Sequence, residues 1–126
     1  MPLGRISLLK GRNEAHKRAM AEGVYEALRE AFKIPENDKF VVIHEHDKSD
    51  FVYAASYLDV AHDDDLVIVQ ITANEGRSTD QKKALYKAIS DRFEKAAGVK
   101  PNNVLINLVE VNKENWSFGN GVAQYA

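Results

Sequence analysis

The segments EALREAFKIPENDKFVVI (residues 26–43) and DRFEKAAGVKPNNVLINL (residues 91–108) nearly superpose at an offset of 65 to 66 positions. Pro35 answers to Pro101, Asn37 to Asn103 and Ala31 to Ala97. Such a repeat restricts the chain more than composition does. Both copies must fold to the same unit and bury their apolar faces together. An apolar stretch precedes each copy by roughly a helix length, ISLL in the first half and LVIVQI in the second. Each half therefore reads strand, helix, strand, with pseudo-repeat halves at about 1–46 and 66–112. At 126 residues the two halves make a single domain, 1–126, long enough to bury a core.

In the first half Met20, Val24, Ala27, Leu28 and Ala31 fall at helical spacing and form an apolar stripe. Tyr86, Ile89, Phe93 and Ala96 do the same in the second. STDQ at 78–81 is a capping box: Ser78 caps the helix start and Gln81 reaches back. Gly98 and then Pro101 end that helix as a glycine stop followed by a breaker. The strand cores Val41–Ile43, Leu66–Val69 and Val104–Ile106 are continuous apolar runs, the pattern of strands covered on both faces. Right-handed crossovers put both helices on one face of a four-stranded sheet, an α+β fold. The other face then needs a cover, and further copies of the chain are the simplest one. A homotrimer is expected, with the sheets packed around a central axis and the aromatic tail reaching a neighbour.

The formal net charge is -2 with no basic stripe, so nucleic acid is not expected as a partner. No apolar run approaches the roughly 18 residues that would span a membrane. The first residues lack the long apolar core of a signal peptide. A cytoplasmic location is the expectation. Cysteine is absent, which excludes disulfides and thiolate chemistry.

Proline at position 2 has no backbone N–H for a sheet, but the head of a strand tolerates it. Initiator methionine is usually trimmed before so small a residue, which would leave Pro2 as a secondary amine at the start of RISLL. An ordinary α-amino group titrates at about 7.7–8.0. Burial and a nearby arginine lower that value, and a carboxylate raises it. Such an amine can be tuned to act as base or acid near neutral pH. Arg77 stands immediately before the capping box, where a guanidinium and free helix N–H groups would converge on a carboxylate. Arg12 lies near the equivalent place in the first half. Asp38, in PENDKF, answers to Val104, so the scaffold does not call for a carboxylate there. His44 and His46 share a strand face, and His62 precedes the acidic run 63–65, read as a solvated turn. Without a third ligand at defined spacing they do not make a metal site, and no metal or cofactor is expected. The connector 47–65 and the tail 112–126 stand outside the repeat. Trp116, Phe118 and Tyr125 are separated in the tail by Gly119 and Gly121, a pattern for wrapping onto a pocket or a neighbouring subunit.

On PENDKF, RSTDQKKALY and NWSFGNG, over nearly its whole length, the chain resembles the tautomerase superfamily, and within it the malonate semialdehyde decarboxylase branch. The resemblance implies a two-fold βαβ scaffold, trimeric assembly and an amino-terminal proline as the reagent. It makes Pro2 the catalytic amine and Asp38 the carboxylate working with it. Arg77 becomes the clamp for a substrate carboxylate, and Trp116, Phe118 and Tyr125 become pocket walls. That decarboxylase has a second arginine two positions before Arg77, where this chain has Glu75. A hydrophobic wall beyond Tyr125 in the family's tail also has no counterpart here. A neutral Pro2 would move a proton α to a carbonyl, a keto–enol tautomerisation of a small keto acid. A protonated Pro2 would polarise a carbonyl while Asp38 activates water or holds substrate, and carbon dioxide could leave. A non-catalytic trimeric binding domain of the same fold is the third alternative.

Overall fold

The computed structural model describes all residues from Met1 to Ala126. Strand β1 (Leu3–Leu9) leads into helix α1 (Glu14–Phe32) and strand β2 (Val41–His46). A short hairpin, β3 (Ser56–Tyr57) and β4 (Val60–Ala61), interrupts the connector. The second half repeats the plan with β5 (Val67–Asn74), α2 (Thr79–Ala97) and β6 (Val104–Val111). The four long strands form one sheet in the order β2-β1-β5-β6. β1 and β5 pair antiparallel at its centre, and each pairs parallel with the outer strand of its own half. That is the α+β arrangement of two βαβ units expected from the repeat.

The helices form where local chemistry and stripe agree. Asn13 caps α1 by accepting from the His16 N–H at 2.7 Å, and Lys33 ends it in the left-handed region. Ser78 and Gln81 make both halves of the capping box on α2, and Gly98 ends it at φ 66°. All five predicted stripe residues of α1 are buried. On α2 the stripe is Leu85, Ile89, Phe93 and Ala97; Tyr86 is half-buried at its edge and Ala96 faces outward. Every fourth residue meets the sheet there, so the expected stripe is one position out of phase at both ends. Gly23 lies where the helices meet: a Cβ there would stand 3.5 Å from the Phe93 ring and from the Arg92 Cβ, an ordinary packing contact.

The core lies between the helices and one sheet face. Ile6, Leu8, Val67, Val69 and Ile71 are fully buried there against Met20, Leu85, Ile89 and Phe93. Each such side chain contributes about 1.5–3 kcal/mol by leaving water. The expectation that the apolar runs are covered on both faces does not hold for the single chain. Val42 and Leu105 are exposed on the sheet's other face. Registry sets Val42, Arg5, Gln70 and Asn107 in one row across that face. Gln70 donates to Asn107 at 2.9 Å, and Arg5 reaches the His44 ring at 3.2 Å.

The duplication also extends further than the sequence match. Gly11 and Gly76 both adopt strongly positive φ (124° and 117°) at the turns before the helices. The helices start at Glu14 and Thr79, and the pairings Gly4–Val41 and Val69–Ile106 recur in register, all 65 positions apart. At that offset Asp38 corresponds to Asn103, not to Val104. The connector and the tail correspond too, which corrects their reading as unrepeated. A 3-10 turn at Lys48–Asp50 matches one at Lys113–Asn115, so Phe51 matches Trp116 and Tyr53 matches Phe118. Phe51–Tyr53 and Trp116–Phe118 are both ring pairs, at 6.0 and 5.8 Å. The acidic run is the exposed turn expected, and hydrogen bonds tie it into the junction before β5. Asp63 bonds the buried Asn103 side chain, Asp65 holds Arg12 through its carbonyl at 2.7 Å, and Asp64 accepts from Tyr53 and Lys48.

Candidate functional site

The start of β1, the turn before β2, the end of β5 and the segment after β6 meet at one end of the sheet, as the strand directions require. Pro2 is buried there at the head of β1. With Met1 in place the Pro2 nitrogen is an amide, and the Met1 amine is the free one. That amine lies 4.0 Å from Asp38 Oδ2, both side chains being nearly buried. Asp38 Oδ1 is buried without any hydrogen-bond partner. An unpaired buried acceptor costs about 1–3 kcal/mol, so the fold gains nothing from this oxygen.

The electrostatics follow from burial first. Desolvation pushes the Met1 amine below its ordinary 8.0; Asp38 opposes this, while Arg77 and Lys113 add to it. Desolvation likewise lifts the Asp38 carboxyl above its ordinary 3.8, against the pull of the amine and of Arg77. A carboxyl whose pKa rises on folding stabilises the fold below its ordinary pKa, and that contribution is lost as pH rises through the folded value. At neutral pH the ionised Asp38 is thus a burden on stability. The equivalent position carries Asn103, a neutral amide paired on both sides.

Arg77 is placed by the Gly76 turn and held in two ways. Its Nη1 donates to the Asn74 carbonyl at 3.0 Å, and its guanidinium lies 4.9 Å over the Phe32 ring. It acts on Asp38 and on the amine through charge, but it lines neither hollow beside Met1. The expected convergence with free helix N–H groups does not occur at Ser78, whose N–H is taken by Gln81 at 2.9 Å. Glu75 is exposed, with its N–H bonded to the Val111 carbonyl.

The tail folds back onto its own chain. Trp116 donates to Asn74 Oδ1 at 2.7 Å, Phe118 stacks on Trp116, and Tyr125 meets Phe118 edge-on at 5.1 Å. Two adjoining hollows open around Met1. One, of about 250 Å³, is lined by Leu3, Phe40, Trp116 and Phe118; the other, of about 280 Å³, by Asp38, Phe40, Phe118 and Tyr125. Met1 itself lines both. Roomier hollows along α1 and beside the connector include the ion pairs Lys39–Glu22 and Lys48–Asp64 in their lining.

Asp38, Trp116, Phe118 and Tyr125 therefore gather around Met1, the residue joined to the buried Pro2, and Arg77 reaches the amine there by charge alone. Two contributors went unread in the sequence. Phe40 walls both hollows, and its only signal was an aromatic at the out-facing start of a strand. Asn74, nearly buried, anchors Trp116 by its side chain and Arg77 by its carbonyl. A lone amide ending the apolar run Val67–Ala73 was the available clue. The histidines lie apart from this place: His44 on Arg5, His46 against Phe51, His62 on the Ala54 carbonyl.

This arrangement has close counterparts. One family model described as tautomerase enzyme matches residues 38–119, and a second with the same description matches residues 2–60. The probable tautomerase YusQ of Bacillus subtilis (strain 168) is 39% identical over 124 residues, covering 98% of both chains. A crystal structure of FG41 malonate semialdehyde decarboxylase inhibited by 3-bromopropiolate superposes with a TM-score of 0.90 at 33% identity, covering 98% of this chain and 93% of that one. Crystal structures of wild-type, mutant and inactivated malonate semialdehyde decarboxylase give 0.90 at 28% identity, over 98% and 95%. No helix is long and apolar enough to cross a membrane. Matched over 38–119 by the family model and end to end by a curated relative, the chain belongs to the family of tautomerase enzymes.

Proposed function

We propose that this chain, once Met1 is removed, uses the secondary amine of Pro2 to move a proton on a small keto acid, interconverting keto and enol forms. The observation that carries the reading is Asp38. It is a nearly buried carboxylate with an unpartnered oxygen beside the chain's amine, at a position where the repeat has a neutral amide. Neutral Pro2 takes the proton α to the carbonyl: the C–H bond breaks, an N–H bond forms, and the electron pair moves to the carbonyl oxygen as an enolate. The proton then goes to that oxygen, which gives the enol. Arg77, whose charge reaches the amine and Asp38 although it lines neither hollow while Met1 is in place, is the cation assigned to the substrate carboxylate, and Trp116, Phe118, Tyr125 and Phe40 line the space beside the amine. The adjoining hollows suit a small acid.

A second reading, decarboxylation of a small β-keto acid, draws on the 0.90 TM-scores with malonate semialdehyde decarboxylases. It needs a protonated Pro2, which Asp38 favours and burial opposes. The test of the first reading uses Met1-free protein with phenylpyruvate. Turnover is expected, and Asp38→Asn should lower it. The substitution removes the charge that raises the amine's pKa, so the acidic limb of the pH–rate profile should move to lower pH. The melting temperature at pH 7 should not fall, since the repeat accepts an amide at this position. Absence of turnover by the unsubstituted protein overturns the reading.

We also propose that three copies assemble through the exposed sheet face around Arg5, Val42, Gln70 and Asn107. The apolar side chains exposed beside this polar row, Leu105 and Val109 among them, support a subunit interface. Sedimentation at micromolar concentration should give three times the mass of 14.1 kDa. A stable monomer overturns it.

A further inference from the structure

Tyr25 lies on α1, 6% exposed, and its hydroxyl accepts from the Asn37 N–H at 3.1 Å. Asn37 is in the left-handed region at φ 71°, immediately before Asp38. On the other side of Asp38, the Lys39 ammonium lies 4.6 Å over the same tyrosine ring, with Glu22 bonding it at 3.0 and 3.1 Å. One side chain thus grips both neighbours of Asp38, the first by its oxygen and the second by its ring. The turn between them is otherwise closed by a single backbone bond, Asp38 N–H to the Pro35 carbonyl at 3.3 Å.

The duplication supplies an internal control. At the offset of 65 that aligns the helices, Tyr25 corresponds to Ser90, too short to reach the matching turn. The second half ties its turn instead through the paired hydrogen bonds between Asn103 and Asp63. The scaffold therefore does not require a tyrosine at this position of the helix. It has one only in the half where the turn presents a carboxylate to the amine.

We propose that Tyr25 is a positioning residue that aims the Asp38 carboxylate at the amine, acting through the Pro35–Lys39 turn. The inference rests on the reading of Asp38 as the carboxylate that works with Pro2. Tyr25→Phe deletes the hydroxyl and keeps the ring, so the core packing and the Lys39 contact remain. With the Asn37 N–H released, the turn loosens and water reaches the carboxylate. The Asp38 pKa should then fall towards its ordinary 3.8.

The experiment compares Met1-free wild-type protein with Tyr25→Phe, following the Asp38 carboxyl by carbon NMR across pH and measuring turnover on phenylpyruvate. The Asp38 titration should move to lower pH, with a roughly threefold loss of proton affinity. Turnover should fall about fivefold in kcat with KM little changed, the scale of one hydrogen bond that orients a reacting group. Identical Asp38 titration in the two proteins overturns the proposal, whatever the melting temperature does. If the unsubstituted protein shows no turnover but the titration still moves, the enzymatic reading fails and the positioning role of Tyr25 stands.

Discussion

A preparation that keeps Met1 is expected to turn over phenylpyruvate about 10²–10⁴-fold more slowly than one beginning at Pro2, the usual contribution of a positioned acid or base. Two effects combine. The Met1–Pro2 peptide bond makes the proline nitrogen an amide, which neither accepts nor gives a proton at neutral pH. Met1 also lines both hollows, so it occupies space that a substrate needs. Residual activity is expected, because the Met1 amine stays 4.0 Å from Asp38 and burial keeps its pKa low. Pro2→Ala, with a free primary amine in the same place, should fall between the two forms. Intact mass assigns each preparation before initial rates are measured. Equal rates would leave Pro2 as nothing more than the first residue of a strand.

For Arg77→Ala, KM for the same substrate should rise about 10- to 150-fold while kcat changes little, the loss of a charged hydrogen-bonding partner worth roughly 1.5–3 kcal/mol. With Glu75 in place of a second arginine, no neighbouring guanidinium takes over the carboxylate. The pH dependence separates this role from a general loss of fold. Arg77 lowers the pKa of both Asp38 and the terminal amine. Its removal should therefore shift the acidic limb to higher pH, opposite to Asp38→Asn. Some stability will go as well, because the guanidinium lies on the Phe32 ring and ties down the Asn74 carbonyl. Arg77→Lys keeps charge but not the planar contact, and should recover the limb's position more than the affinity. An unchanged KM would return Arg77 to a packing role.

The α1 stripe, the capping box at Ser78 and the glycine stop at Gly98 were legible in the sequence because each rests on local spacing. The α2 stripe was misphased because Tyr86 and Ala96 are apolar enough to pass for core, and only packing against α1 shows that Leu85 and Ala97 face inward. The repeat was visible where side chains match and invisible beyond, since Phe51 and Trp116 correspond by backbone and ring position rather than identity. That also misassigned the counterpart of Asp38: Pro35 and Pro101 align at 66 positions, but the strand registers align at 65. Pro2, Asp38 and the aromatic tail were picked out singly by residue type and by resemblance. Their gathering at one sheet end depends on strand directions, which single residues do not encode. Phe40 and Asn74 carried no chemistry of their own and became legible only as the wall and the anchor of other side chains.

The junction that leads into β5 limits how many reactive centres an assembly of this chain can hold. In the second half the polypeptide runs without a break through Asp63–Asp65 into Val67, the counterpart of Pro2, and Asp65 already occupies Arg12. An internal strand head has only amide nitrogens, so the second half cannot present a free amine however closely its backbone copies the first. Two half-length chains would each bring a terminus; joining them into one polypeptide halves that number. On the proposed reading the stoichiometry is one amine-centred site per chain, and at the other end of the sheet Asn103, Phe51 and Tyr53 stand where the first end has Asp38, Trp116 and Phe118.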